Sequence, residues 1–448
     1  MAGIAGLANE NRYAEVSEML RRISHRGNNR MKIIEAGETT IGVCWNDPDA
    51  IHFGESGDRV FVSDRAGTEQ FATATAGNGE FIFSRDTLGV APLYKGYLPD
   101  GTVGFASEVK ALLPEMKLLE EVRPGYGTGP DLVDNMQTDM QSGLSVMQPD
   151  ALAMRLKQVL DDAVSASIRN ENTGTWLSGG LDSAAVTALA ANYVGKIKTF
   201  TAGVEGAPDL EYAARTAKYL GTEHHEIIVG MNDLASVLPE VIYHLESFDP
   251  LLVRSSLLNF IAARIAADNV SDILTGEGAD ELFAGYHYLS SLPLAELTDE
   301  LLRLTGKLHN TALQRVDRCA SAFGLTPRLI FTHHAVKDMA FAIPADYKIV
   351  NGEGKWILRK AVEELLPPEI TWRSKAKFWE GGGVNEKLSE IAENTISDSD
   401  FRKERVLPNG WTLTGKEELL YYRIFRDFFG DDISLSWMGR TDTCTTVA

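Results

Sequence analysis

Cysteine is scarce in this chain. There are three in 448 residues, Cys44, Cys319 and Cys444. That is too few for a disulfide framework or a four-thiolate zinc site, and it suits a reducing cytoplasm. No apolar run reaches the roughly 18 residues that a membrane-spanning helix needs. The opening stretch, Met1 to Leu7, is short and soon gives way to polar residues, unlike a signal peptide. Positive charge is in deficit. Lys and Arg total 43 against 63 Asp and Glu, a formal net charge of −20. General binding to nucleic acid or to anionic membrane rests on cations, so both are excluded as broad functions. A small positive pocket is not.

What is present is ordinary globular composition, 44% apolar and 24% charged. At roughly 150 residues per domain the length suggests two or three domains. Up to about residue 128, short strands alternate with turns. Residues 31–36, 39–44, 59–63 and 79–84 read as strands. Tyr13, Val16, Met19, Leu20 and Ile23 recur at helical spacing. The turn cluster Pro124–Pro130 and the polar stretch to Gln148 mark a boundary. We therefore expect domains at 1–128 and 150–448, joined by a linker at 129–149.

Beyond the linker, short apolar strands alternate with helices up to Thr275. That order predicts an α/β fold with a parallel sheet covered by helices on both faces. From about residue 295 the chain reads as mostly helical.

Two segments carry chemistry. Ser178, Gly179, Gly180, Leu181, Asp182 and Ser183 follow a predicted strand and open a helix. Glycines let the backbone approach an anion, hydroxyls donate, and a helix N-terminus favours negative charge. The spacing is not that of a Walker A loop. Asp182 would repel a bare phosphate, so a divalent cation is expected between them. The second segment, Thr275–Glu281, also follows a strand. It supplies Gly276, Glu277, Gly278 and Asp280. Mg²⁺ commonly takes one or two carboxylates plus phosphate oxygens, which Asp182 and Asp280 would satisfy. Both acids could equally serve as helix-dipole partners. His224–Glu226 and His333–His334 are read as structural, because adjacent strand residues point to opposite faces. Gly381–Gly383 reads as a loop able to close over a nucleotide.

These residues carry a resemblance. Ser178–Ser183 and Thr275–Glu281 resemble the nucleotide loops of class B asparagine synthetases, whose synthetase domain is an ATP-pyrophosphatase. Trp372–Phe378 resembles that family's late lysine-bearing segment. Ser24–Gly27, Ser84–Tyr94 and Phe105–Leu112 resemble its glutamine-hydrolysing domain. The resemblance runs nearly end to end and extends to β-lactam synthetases. It implies a layered N-terminal-nucleophile-type α/β domain followed by an ATP-pyrophosphatase domain with a helical C-terminal part. It also implies a cytoplasmic ligase that uses ATP and Mg²⁺. A carboxylate attacks the α-phosphate, pyrophosphate leaves, and ammonia or an amine displaces AMP. Ser178, Gly179, Gly180, Ser183 and Gly276 would then cradle ATP or pyrophosphate, and Asp182 and Asp280 would hold the metal. Lys375 would contact phosphate, and Glu277 would handle the amine. Arg254, Arg328 and His333 are weaker substrate-binding candidates. A homo-oligomer is left open.

The departures from the family are as informative. Its glutaminase nucleophile is a cysteine at position 2, and here position 2 is Ala2. Neither the family's Arg-Leu-Ser stretch nor its full Asn-Gly-Glu-Ile-Tyr-Asn stretch can be found. The first domain therefore reads as a degenerate glutaminase, with nitrogen drawn from ammonia or an amine, in some relatives within one molecule. Two acids of the family's Glu-Ala-Arg-Val-Pro-Phe-Leu-Asp stretch appear as Thr326 and His333, which argues against free aspartate as substrate. Two other readings stand beside this one: an asparagine synthetase with an engineered Ala2, and an inactive binding or assembly partner.

Overall fold

The structure is a computed structural model that describes residues 1–65, 67–125, 147–374 and 383–441. Most of the expected linker, Lys375 and Gly381–Gly382 lie outside the described residues.

The N-terminal part holds ten strands: β1 (Ala2–Leu7), β2 (Arg30–Glu35), β3 (Thr40–Trp45), β4 (Phe53–Ser56), β5 (Arg59–Ser63), β6 (Ala72–Gly77), β7 (Glu80–Arg85), β8 (Tyr94–Tyr97), β9 (Val103–Ala106) and β10 (Lys117–Glu121). They form two antiparallel sheets. One runs β10-β8-β9-β1-β3-β2 and the other β4-β5-β6-β7. Strand alternation explains the layering. Ala2, Ile4, Ile41 and Val43 face the second sheet and meet Val62, Ala74 and Phe83. Ala5, Leu7 and Cys44 point the other way, against Val16, Leu20 and Ile23. Val16 and Leu20 belong to the Tyr13–Arg22 helix and Ile23 caps its C-terminus, close to the helix expected from the spacing. β1 is buried along its whole length because both its faces are covered. Gly6 keeps that layer thin, since a Cβ there would lie 2.6 Å from the Phe105 ring.

The second part contains β11 (Thr173–Trp176), β12 (Lys198–Val204), β13 (Glu223–Val229), β14 (Asp272–Thr275) and β15 (Thr326–Leu329). All run parallel, in the order β13-β12-β11-β14-β15. The order reverses between β11 and β14, so the chain leaves their carboxyl ends on opposite sides. Such a switch point opens a crevice where ligands bind in α/β sheets. Four of these strands match the sequence reading. β15 does not, because it sits within the stretch read as helical. It is short, on the sheet edge, and carries Pro327, which only an edge strand tolerates.

The Pro250–Ala267 helix is 18 residues long, with mean hydropathy 1.3. Length and composition alone would let it cross a membrane. Here it is a core helix: Leu252, Val253, Leu257, Leu258 and Phe260 are buried. It also carries Arg254 and Arg264.

Candidate active site

The two loops foreseen from sequence meet at the switch point. After β11 the chain turns at Gly179, whose φ of +75° favours glycine. A Cβ there would also lie 2.5 Å from the Asp209 carbonyl. The Leu181–Ala190 helix follows, with Asp182 in its first turn. The loop is pre-shaped by its own hydroxyls. Ser183 Oγ donates to the Gly180 carbonyl at 3.2 Å and accepts from the Ser178 N–H at 3.1 Å. It lies 3.0 Å from Ser178 Oγ. The loop after β14 packs backbone to backbone against it. A Cβ on Gly276 would come within 2.6 Å of the Asp182 carbonyl carbon. Only glycine permits that approach, and it brings Asp182 and Asp280 to one point.

Lys355 occupies that point. Its Nζ lies 2.5 Å from Asp182 Oδ2 and 2.6 Å from Asp280 Oδ1. The residue has φ +56° and is 4% exposed. Its N–H donates to the Phe283 carbonyl at 2.9 Å. Burial disfavours the ammonium, yet the Asp182 and Asp280 carboxylates outweigh it and raise the Lys355 pKa. The lysine is therefore a fixed cation. The same geometry tests the fit for a metal. Among the described residues no cluster of three or more His, Cys, Asp or Glu could hold one. Two carboxylates that converge on a single cation suit Mg²⁺, which completes its shell with phosphate and water.

A cavity of about 340 Å³ opens from these loops, lined by Ser178, Asp182, Glu277, Lys355, Arg359 and Arg373 among others. Arg373 braces the first loop. It donates to the Gly179 carbonyl at 2.7 Å, pairs with Asp209 at 2.6 Å and lies 3.9 Å from the Tyr212 ring centroid. Burial raises the Asp209 pKa, with Arg373 opposing. Arg359 Nε donates to the Gly354 carbonyl at 3.0 Å, holding the turn that presents Lys355. Glu277 reaches the cavity from the second loop, and its carboxylate pairs with Arg315 at 2.6 Å.

Ser178, Gly180, Asp182, Ser183, Gly276, Glu277 and Asp280 thus come together as expected, with Gly179 at the turn between them. Lys375 lies outside the described residues; Ser374, just before it, lines the cavity. The three weaker candidates go elsewhere. Arg254 is spent on a two-pronged pair with Glu417, both distances 2.6 Å. Arg328 pairs with Asp272 on the neighbouring strand, at 2.7 Å. His333 sits 3.4 Å from Glu69 of the N-terminal part. None of the three lines the cavity. The whole Thr326–His333 stretch forms β15 and a junction with the N-terminal part, where Gln70 donates to Thr332 Oγ1 at 2.8 Å. Thr326 and His333 thus lie outside the cavity lining. The histidine pair at 224–225 is structural, as read: His224 Nδ1 contacts Thr199 Oγ1 at 2.9 Å, and His225 stacks on Phe200.

Lys355, Arg315, Arg359 and Arg373 were missed by sequence reasoning. The only local signal for Lys355 is the Gly352-Glu353-Gly354 turn before it.

Comparison with known proteins agrees with this geometry. Residues 155–303 and 293–445 match the asparagine synthase family, and residues 51–125 match a glutamine amidotransferase domain. Asparagine synthetase B (glutamine-hydrolyzing) of Escherichia coli K12 is 32% identical over 393 residues, covering 82% of this chain and 71% of its own. A probable asparagine synthetase of Dictyostelium discoideum is 30% identical over 440 residues, covering 89% and 79%. The Asparagus officinalis enzyme is 30% identical over 404 residues, covering 84% and 68%. With matches of that extent, and with two glycine-bearing loops, paired aspartates and a buried lysine at one switch point, the chain belongs to the asparagine synthase family of ATP-dependent, amide-forming ligases that release AMP and pyrophosphate.

Proposed function

We propose that the protein adenylates a small carboxylate with Mg·ATP and forms an amide with ammonia or an amine, without using glutamine. The observation that carries the reading is the convergence of Asp182, Asp280 and Lys355 beside two glycine-bearing loops, with Glu277 in the same cavity.

The chain's own groups divide the work. Ser178 and the loop glycines offer hydroxyl and backbone donors to the departing pyrophosphate, at the N-terminus of the Leu181–Ala190 helix. Lys355 holds positive charge where that negative charge builds. Arg373 keeps the loop in shape through the Gly179 carbonyl. Asp182 and Asp280 would hold Mg²⁺, which when bound neutralises phosphate charge. Glu277 is placed to take a proton from the attacking amine, with Arg315 orienting its carboxylate. Lys375 is assigned to phosphate by resemblance alone.

The case against glutamine rests on nucleophiles. Ala2 is fully buried in the sandwich core and has only a methyl group. Cys44 lies opposite Gly3 on β3, and burial pushes its thiol up to about 12. Burial does the same to Cys319. A thiol in that range supplies almost no thiolate near neutral pH. Neither described cysteine can stand in for the missing one.

The acceptor is proposed only as a small carboxylate. Aspartate belongs in any panel, since the residues that had argued against it lie away from the cavity. The test is substrate-dependent release of pyrophosphate and AMP over carboxylates paired with ammonia or amines. Release of ADP and phosphate, or binding without turnover, would reject the proposal. Asp182→Asn should abolish release with the fold intact.

A further inference from the structure

The N-terminal part has Ala2 where the family's glutaminase has its cysteine, yet it touches the synthetase part through charges that are almost fully buried. The Ala312–Ser321 helix receives most of them. Asp317 accepts from Arg26 at 2.7 and 3.1 Å and from Arg65 at 2.9 Å. Arg318 pairs with Glu108 at 2.8 Å and with Glu246 at 2.9 Å. Arg26, Arg65 and Glu108 belong to the N-terminal part. Glu246 is clamped from that side as well, accepting the Val109 and Lys110 backbone N–H groups at 3.0 and 2.6 Å. All these side chains are at least 95% buried.

The same helix reaches the active site. Arg315 stands one turn before Arg318, and residues three apart share a helix face. Its guanidinium pairs with Glu277 at 2.6 Å, and its Nε finds no acceptor among the described residues. Among the described residues, the Glu277 carboxylate is the partner that holds this guanidinium. Its place depends on where the helix sits, and Asp317 and Arg318 set that.

We propose that the N-terminal domain is a positioning element for the synthetase reaction: through Asp317 and Arg318 it fixes the register of the Ala312–Ser321 helix and so the Arg315–Glu277 pair. This rests on the reading of Glu277 as the group that serves the amine. Asp317, Arg318 and Arg26 are positioning residues; none lines the cavity. A buried network that only held the domains together would leave Glu277 indifferent to it.

The test uses the full chain, with Asp317→Asn, Arg315→Lys and the double variant. Hydrogen exchange on the substrate-free protein comes first. Asp317→Asn should speed exchange at Glu277–Ala279, across the helix from the substituted residue. Kinetics follow, with the carboxylate and amine that turn over best. Loss of positioning should lower kcat about 10- to 100-fold, with KM for Mg·ATP little changed. In the Arg315→Lys background the Asp317→Asn change should add almost nothing, since both act through one pair. Faster exchange confined to residues 312–321 and the N-terminal part, or kcat losses that multiply, would overturn the proposal. Should Asp317→Asn not fold, Arg26→Lys keeps the charge but loses the planar fork, and should show the same pattern more weakly. If no carboxylate turns over in the parent protein, the functional reading fails by itself, and the exchange arm still decides the coupling.

Discussion

Replacing Lys355 with Met would remove the ammonium that Asp182 and Asp280 share. Its Nζ lies 2.5 and 2.6 Å from their oxygens. Removing one member of a buried ion pair costs about 3–5 kcal/mol. The aspartate side chains keep 22% and 16% of their exposure, so solvent relieves part of the repulsion. About 2–3 kcal/mol is then a reasonable figure. At the unfolding entropy of a unit near 300 residues, that is a fall of about 3–5 °C in Tm. Mg²⁺ should reverse it, because without the ammonium a divalent ion is the cation left to neutralise the two carboxylates. At 100 times its Kd a ligand adds about 2.7 kcal/mol. Thermal unfolding with EDTA and then with Mg²⁺ is the assay. The variant should gain several degrees from Mg²⁺ and the parent much less. Pyrophosphate release should fall about 100-fold or more even with Mg²⁺, since a preorganised charge at the leaving group is gone. A variant whose Tm matches the parent in both buffers would show that the two aspartates neither need Lys355 nor share a cation site.

Three further outcomes are expected. Lys348 is fully buried, and burial lowers its pKa to about 7. Between pH 7 and 10.5 the unfolded chain binds a proton that the folded chain does not, so this group's contribution to stability rises with pH; Lys348→Met should stabilise by up to about 4 kcal/mol near pH 6, and the gain should shrink toward pH 10. Parallel Tm curves across that range would refute the assignment. Ala2→Cys should release no glutamate from glutamine, because a thiol at position 2 would lack the rest of the recognition residues; glutamate detected by coupled assay would sink the reading. Arg254→Met should leave pyrophosphate release within about twofold while lowering Tm, since it strands the largely buried Glu417; a large loss of release with unchanged Tm would return Arg254 to the site.

The meeting of the two glycine-bearing loops was legible because their chemistry is local. Glycine, serine and aspartate at a strand–helix junction mean the same thing wherever the chain goes next. The same reasoning failed for Lys355. Lysines are usually solvated, and this one matters because a left-handed backbone residue aims it at two loops far away in sequence. Arg254 failed in the opposite direction. An arginine on a helix looks like an anion site until its partner is known, and Glu417 lies on the Lys416–Phe429 helix, invisible to any window. The Thr326–His333 stretch has its binding role from resemblance alone, while the fold places it on an edge strand and the junction that follows. The sheet itself was readable from the alternation of strands and helices. Its strand order was not, since pairing of β11 with β14 is settled only by packing.

The Gly276 contact with Asp182 has a consequence for biosynthesis. The two halves of the nucleotide site leave the ribosome far apart in time, and the lysine that reconciles their charges comes later still. A nascent chain ending before residue 355 would bring the two carboxylates together without the Lys355 ammonium. The order of synthesis therefore favours a late closure. Lys355 can join the pair once the 352–374 segment has been made, and Arg440 and Thr441, which also line the cavity, come later still.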